Sequence, residues 1–351
     1  MKRRKFVKVT AGISAGFIAS LLKNISSAES IFDTLINKIN NKINPSGESG
    51  TVLRSTPKIQ KKPVVAVSKR GDIRDKNGEL RGDVLRSMFD ESIKKIFGVT
   101  DPRDVLKSLF PGTDTIGIKV NCLAGRGLSS SRELVEAVIS SLQSAGIERE
   151  RIIVWDRTDD DLIRAGFTVN RKGNDVLCFG TNNLYEPEPR MSGSVGSCFS
   201  RILSERCGTI INIPVLKDHD LAGVSLGMKN FYGAIHNPNK YHDNACNPYV
   251  AELNMHPLIK DKVRLIVCDG TTAQFQGGPS YKPQWTWDFN GILVSEDPVA
   301  IDRIGFDIIT EKRRAAGLKP FAEEKRDPKY IETAGDMGLG VFDKSRIKIV
   351  S

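Results

Sequence analysis

The chain reads as an α/β protein with a largely parallel sheet and helices on both faces. Three observations carry that reading. Short β-branched apolar runs alternate with helical patterns along most of the sequence. The runs are continuously apolar, as strands covered on both faces are. Polar and glycine-bearing stretches follow their ends, where ligands of such sheets bind. The 351 residues leave room for one large domain or two lobes around a cleft.

The chain opens with Met1-Lys2-Arg3-Arg4-Lys5-Phe6-Val7-Lys8, an apolar stretch over 9–22, Lys23, and then Ser26-Ser27-Ala28. A basic region, an apolar core and small residues ahead of a cleavage point give 1–28 the form of an export signal. The apolar stretch is too short to span a bilayer, so no stable membrane span is expected after processing. Arg3-Arg4 followed by Lys5-Phe6-Val7-Lys8 resembles the twin-arginine signal, and Lys23 suits that route. The resemblance implies the twin-arginine translocase as a partner, passage of an already folded protein, and a periplasmic or otherwise extracytoplasmic destination. Removing 1–28 takes away six Lys+Arg and no acids, lowering the formal charge from +10 to +4. That charge, without basic runs interleaved with aromatics, gives no reason to expect a nucleic-acid partner. Residues 29–62, centred on Pro45-Ser46-Gly47-Glu48-Ser49-Gly50, have the composition of a flexible linker, with Ile31-Phe32-Asp33-Thr34-Leu35-Ile36 as a possible short amphipathic turn. The α/β domain is expected over 63–351.

Within it, strands are expected at 63–68, 115–121, 151–156, 175–179, 209–214, 262–269, 291–295 and 346–350. Helices are expected at 131–145, 197–206, 248–259 and 298–314. Ser130 stands three residues before Glu133, a capping-box spacing. Asp297-Pro298 suits a helix start, with Asp297 as cap and Pro298 at the first position. Gly125-x-Gly127 lacks the third glycine of a dinucleotide fingerprint and reads as an ordinary loop. Asp269, at a strand end, suits either a ligand or its own turn. The six cysteines contain no Cys-x-x-Cys, which excludes a ferredoxin-type cluster motif and a thioredoxin-type pair. Most are expected to be small buried apolar residues.

All four histidines lie between His219 and His256. His219 offers a group that titrates near neutrality, and Lys229 an amine that burial can make nucleophilic. Gly223, Ser225 and Gly227 between them are small enough to let the backbone approach a ligand. Lys119 with Asn121, and Lys217 with His219, end apolar runs, so parallel strands would bring them to one sheet edge. There the lysines would hold a small anionic molecule. His236-x5-His242-x3-Cys246 offers ligands suited to a transition metal, whether nickel, zinc or iron. Alternatively these are surface or core histidines and an inert thiol.

Lys119-Val120-Asn121, Ile213-Pro214-Val215-Leu216-Lys217-Asp218-His219, Gly227-Met228-Lys229-Asn230-Phe231-Tyr232-Gly233 and Ser295-Glu296-Asp297-Pro298-Val299-Ala300-Ile301-Asp302 together resemble the family catalogued as domain of unknown function 362. The resemblance runs from roughly Val64 to Ile309 and implies no settled activity. His219-x2-Ala222-Gly223-x-Ser225-x-Gly227-x-Lys229 is similar to a segment of nickel-dependent lactate racemase. That likeness implies proton transfer by His219 and a lysine-tethered nucleotide cofactor on Lys229. The racemase's other catalytic histidine falls at Asp156-Arg157-Thr158, which has none. Its metal-binding histidine has no match at the same spacing, leaving His236 or His242 to substitute. Two functions are therefore expected: a metal- or cofactor-dependent enzyme acting on a small anionic substrate, or an exported non-catalytic protein binding an anionic or metal-bearing ligand.

Overall fold

The computed structural model describes residues 62–351, so the expected export signal and nearly all of the expected linker lie outside the described residues. The apolar runs form β1 (Val64–Lys69), β2 (Ile116–Val120), β3 (Ile152–Trp155), β4 (Leu177–Cys178), β5 (Arg190–Ser192), β6 (Val195–Ser197), β7 (Thr209–Ile213), β8 (Val215–His219), β9 (Gly223–Val224), β10 (Val263–Gln274), β11 (Thr286–Trp287), β12 (Gly291–Ser295) and β13 (Lys348–Val350). The helices are α1 (Gly82–Phe97), α2 (Pro102–Leu109), α3 (Arg132–Ser144), α4 (Asp159–Arg164), α5 (Tyr249–Met255), α6 (Pro257–Lys260), α7 (Pro298–Ala315) and α8 (Tyr330–Asp336). Among the described residues, none is long and apolar enough to cross a membrane.

β5 and β6 pair as a separate hairpin, while the other strands share one sheet whose main path runs β13-β1-β12-β10-β7-β2-β3-β4. The sheet is largely parallel, and on that path β12 alone opposes its neighbours β1 and β10. Of the two arrangements the length allows, the described residues adopt the single sheet.

Alternation along the strands divides the core into two layers. Ile116, Ile118 and Val120 of β2, with Ile152 and Val154 of β3, pack against α1, α2 and α3. Ile153, Trp155 and Ile210 face the opposite layer, built with α5, α7 and α8. The same period turns Gly117 and Lys119 toward that second layer. A Cβ at Gly117 would come within 2.6 Å of Cys207 Sγ and 2.7 Å of Ile210 Cδ1, so glycine alone fits there. Two residues on, at the carboxyl end of β2, the register sets Lys119 beside Asn212 of β7.

Several elements differ from the sequence reading. The expected helix at 197–206 is shortened to a π-helical turn, Ile202–Arg206, because Val195–Ser197 pairs in the hairpin. The helix at 248–259 breaks at His256, whose extended backbone ends α5 and whose ring accepts from Leu258 N to start α6. β10 continues to Gln274 because β8 pairs with its far half. Ser130 is not a cap: its hydroxyl accepts from Asn121 N and donates to Ile213 O, tying two strand ends together. Instead Asp269 accepts from Ser131 N and Oγ at the start of α3, and from Thr271 N in its own turn.

Asp297 caps α7 as expected, with Oδ1 accepting from Val299 N at 2.9 Å and Ala300 N at 2.8 Å. Its Oδ2 also accepts from Val341 N at 3.0 Å, joining the helix start to the C-terminal segment. Asp297→Ala removes the cap and strands a buried N–H. The urea midpoint is expected to fall by an equivalent of roughly 2 kcal/mol with an unchanged denaturant slope; an unaltered midpoint would show that the cap contributes nothing.

Candidate functional site

The carboxyl ends of β2, β3 and β7 are joined by buried polar side chains. Lys119 Nζ donates to Asp156 Oδ1 at 2.6 Å and to Val120 O at 2.7 Å. Asp156 also accepts from Cys122 N and Arg157 N, at 2.6 and 2.8 Å. Asn121 Nδ2 donates to Asn230 Oδ1 at 3.1 Å, and Asn230 Nδ2 to Asn212 Oδ1 at 2.7 Å. Asn212 Nδ2 completes the chain on Gly227 O at 2.8 Å. Lys217 Nζ donates to Asn121 Oδ1 at 2.9 Å. Lys119 is thus engaged by a carboxylate of its own protein, which corrects its expected part as a free anion holder.

The run from His219 to Lys229 is held from outside. Arg326 donates to Asp218 Oδ2 at 3.1 Å and His219 O at 2.9 Å, pinning the end of β8. Gly223 has φ 75°, and a Cβ there would meet Arg326 O at 2.4 Å. Gly227 N and Met228 N donate to the carboxyl of Asp302, which burial pushes up to about 7. A Cβ at Gly227 would lie 2.9 Å from Asp302 Oδ1. Gly223 and Gly227 therefore make room for protein rather than for a ligand, a correction to the sequence reading. Ser225 alone of the three lines the cavity.

That cavity, of about 420 Å³, is also lined by Lys119, Asn121, Asp156, Arg157, His219, Lys229, Tyr232 and His242. Lys217 stands directly behind Asn121, fully buried. Among the described residues neither Lys217 nor Lys229 forms an ion pair with a carboxylate; their partners are Asn121 and His242. Burial, the larger cause for each, lowers both amines to about 8. His219 is held far below its ordinary value by burial, then by Lys229, His242 and Lys217. Burial and Lys229 also lower His242. The imidazoles are therefore neutral, and beside the paired Lys119–Asp156 and Arg164–Asp161 the charged groups of the wall are Lys229, Arg157 and Asp220.

His219 Nδ1 accepts from Leu221 N at 3.1 Å and Ala222 N at 3.3 Å. Asp220 Oδ1 approaches the same nitrogen at 3.2 Å, but it belongs to an exposed side chain, and two converging backbone donors require Nδ1 to be the acceptor. The neutral ring then carries its proton on Nε2, which has no protein partner among the described residues.

The proposed metal set does not assemble. His236 is exposed and packs edge-on against Tyr185, with ring centroids 5.1 Å apart. Cys246 is fully buried, and burial pushes its thiol up, away from the thiolate a metal needs. Only His242 reaches the cavity, its ring 5.4 Å from that of His219. Among the described residues no group of three or more His, Cys, Asp or Glu is arranged to hold a metal ion. The cysteines are all free, and five of them are buried. A larger cavity of about 620 Å³, between β1, α1 and α7, gathers none of these residues.

Sequence reasoning did not assign Asn212, Asn230, Tyr232, Asp302 or Arg326 to the site. Asn230 and Asp302 lie inside the motifs quoted above, but their roles depend on partners far away in sequence. Arg326 lies beyond the motifs altogether.

No curated protein matches the chain. A solved protein from Thermotoga maritima is similar over 73% of this chain at 10% identity, with a TM-score of 0.38. The similarity spans 59% of that protein's length. The family described as Domain of unknown function (DUF362) matches residues 116–307, more than half of the sequence, and the chain belongs to that family.

Proposed function

We propose that this is an exported enzyme whose cavity binds a small anionic substrate, with Lys229 as its covalent anchor. The supporting observation is a buried lysine in the cavity wall, Lys229, and a second, Lys217, buried behind the wall residue Asn121, neither with a carboxylate partner among the described residues. A buried charge lacking a counter-charge is costly, and an anionic ligand offsets that cost. Arg157 at the cavity wall adds a third cation. The tautomer of His219 refines its expected acid/base role: with Nδ1 occupied, the ring offers Nε2–H to an oxygen of the bound molecule, as neutral histidines do at developing oxyanions.

The likeness to nickel-dependent lactate racemase supports a covalent role for Lys229. The residues present do not fit its nickel cofactor, because Asp156 is tied to Lys119 where the second histidine would stand, and His236, His242 and Cys246 do not converge. The likeness of Arg3-Arg4 and the residues after it to a twin-arginine signal supports export of the folded domain to an extracytoplasmic compartment.

Calorimetry with acetate, phosphate and pyruvate is expected to show binding of at least one, weakened about tenfold or more by Lys217→Met or Lys229→Met. Binding by neither the native protein nor its variants would remove the anion site. The lowered lysine values set the pH dependence. Affinity should fall as pH rises through about 8, because the amines lose the charge that holds the anion. The unfolded chain binds more protons between about 8 and 10.5, so stability of the ligand-free protein should rise across that window. Affinity that stays flat from roughly pH 7 to 9, about one unit either side of the transition, would contradict it. Finally, lysine at both Arg3 and Arg4 should trap the precursor in the cytoplasm; unchanged processing after Ala28 would point to another export route.

A further inference from the structure

Lys229, His242 and His219 meet at one wall of the cavity, and their partners fix where each imidazole carries its proton. His242 Nδ1 lies 3.0 Å from Pro238 O. A carbonyl only accepts, so Nδ1 carries the proton and donates it. Nε2 is left with its lone pair facing Lys229 Nζ at 3.2 Å. His219 has the opposite tautomer: Nδ1 is closed by two backbone donors, and Nε2–H is open to the cavity. The rings lie 29° from parallel with centroids 5.4 Å apart, so the acceptor that faces Lys229 and a donor without a protein partner among the described residues belong to neighbouring rings. The amine rests 4.4 Å from the Tyr232 ring centre, while the Tyr232 hydroxyl is spent on Tyr241 O. That phenol is therefore not available as the base. An amine facing a fixed base, in turn oriented by a third group, is the arrangement of an activated nucleophile.

We propose that Lys229 forms an imine with a small anionic carbonyl compound of the 2-oxo-acid class, with His242 as its base and His219 as the donor to the carbonyl oxygen. The proposal rests on the anion-binding reading above, which supplies the carboxylate's place near Arg157 and Asn121, with the charge of Lys217 behind Asn121. In the first step the Nζ lone pair attacks the carbonyl carbon and a C–N bond forms. The C=O π pair moves onto oxygen, where His219 Nε2–H donates a hydrogen bond. The amine proton passes to His242 Nε2, and the alkoxide takes a proton from water, leaving hydroxide, to give the carbinolamine. In the second step the nitrogen lone pair forms C=N as the C–O bond breaks. The imidazolium of His242 returns its proton to the departing hydroxyl, which leaves as water. The hydroxide from the first step takes the remaining N–H proton of the iminium and becomes water again, so carbonyl and amine give imine and water, with no net oxidation.

The test uses the purified full-length protein with pyruvate as probe and cyanoborohydride to reduce the imine, followed by peptide mass mapping. A reduced adduct concentrated on Lys229 is expected, and Lys229→Arg should leave only background modification. His242→Ala should slow trapping about 10²–10⁴-fold, the usual contribution of a positioned acid/base, with added imidazole restoring part of the rate. His242→Gln keeps a hydrogen-bond acceptor without a usable base and should be comparably slow even if the alanine variant does not fold. Pyruvate or acetate binding without an adduct at Lys229 would overturn the imine proposal and leave the anion site standing. Absence of any anion binding would overturn both. Undiminished trapping in His242→Gln would remove His242 as the base.

Discussion

The buried pair between Lys119 and Asp156 is the interaction on which the arrangement of the site depends. Two charges brought out of water gain little unless every remaining donor and acceptor is satisfied. Here they are engaged on several sides: Lys119 also donates to Val120 O, and Asp156 accepts from Cys122 N and Arg157 N. The pair therefore fixes the paths of the chain leaving β2 and β3. Asn230 Oδ1, 3.4 Å from Lys119 Nζ, links it to the segment carrying Lys229. Loss of either partner would leave a charge uncompensated in the protein interior, with a cost far larger than the net value of the intact pair.

The lysine pairing creates a division of labour. Lys119 has its carboxylate, whereas Lys217 and Lys229 have only an amide oxygen and an imidazole nitrogen. Burial, and after it the charge of Lys229, opposes protonation of His219 and His242, and Lys217 adds to this at His219. Neutrality gives each imidazole one donor and one acceptor, and the surrounding backbone chooses opposite tautomers for the two rings. Backbone groups thus provide the asymmetry that a pair of identical side chains lacks.

The sheet was legible because its evidence is local: a continuously apolar run needs no distant partner to be read as a buried strand. Asp297-Pro298 was legible for the same reason. The capping-box spacing at Ser130 and Glu133 misled because Asp269, more than a hundred residues away, reaches the start of α3 instead. Spacing also brought Lys119, Asn121, Lys217, His219 and Lys229 to one region through the parallel register. It failed for His236 and Cys246, whose neighbours in sequence turn them to different surroundings. Gly223 and Gly227 show the same limit. Sequence reveals that a close approach is allowed, but not that Arg326 and Asp302 are what approach.

The residues beyond 116–307 complete what the family-matched segment begins. β1 and β13 extend the sheet past β12, and α1 packs with β1 and α3 on one face. Arg326 closes the end of β8 through Asp218 and the carbonyl of His219. That carbonyl precedes the turn whose N–H groups set the His219 tautomer, so a guanidinium outside the matched segment helps hold the geometry inside it. Arg326 itself is steadied by Glu324 at 2.7 Å and Gln276 at 2.7 Å. The C-terminal segment thus acts as a brace across the site, and the positions of the cavity's functional groups depend on a fold larger than the motifs that reveal the family.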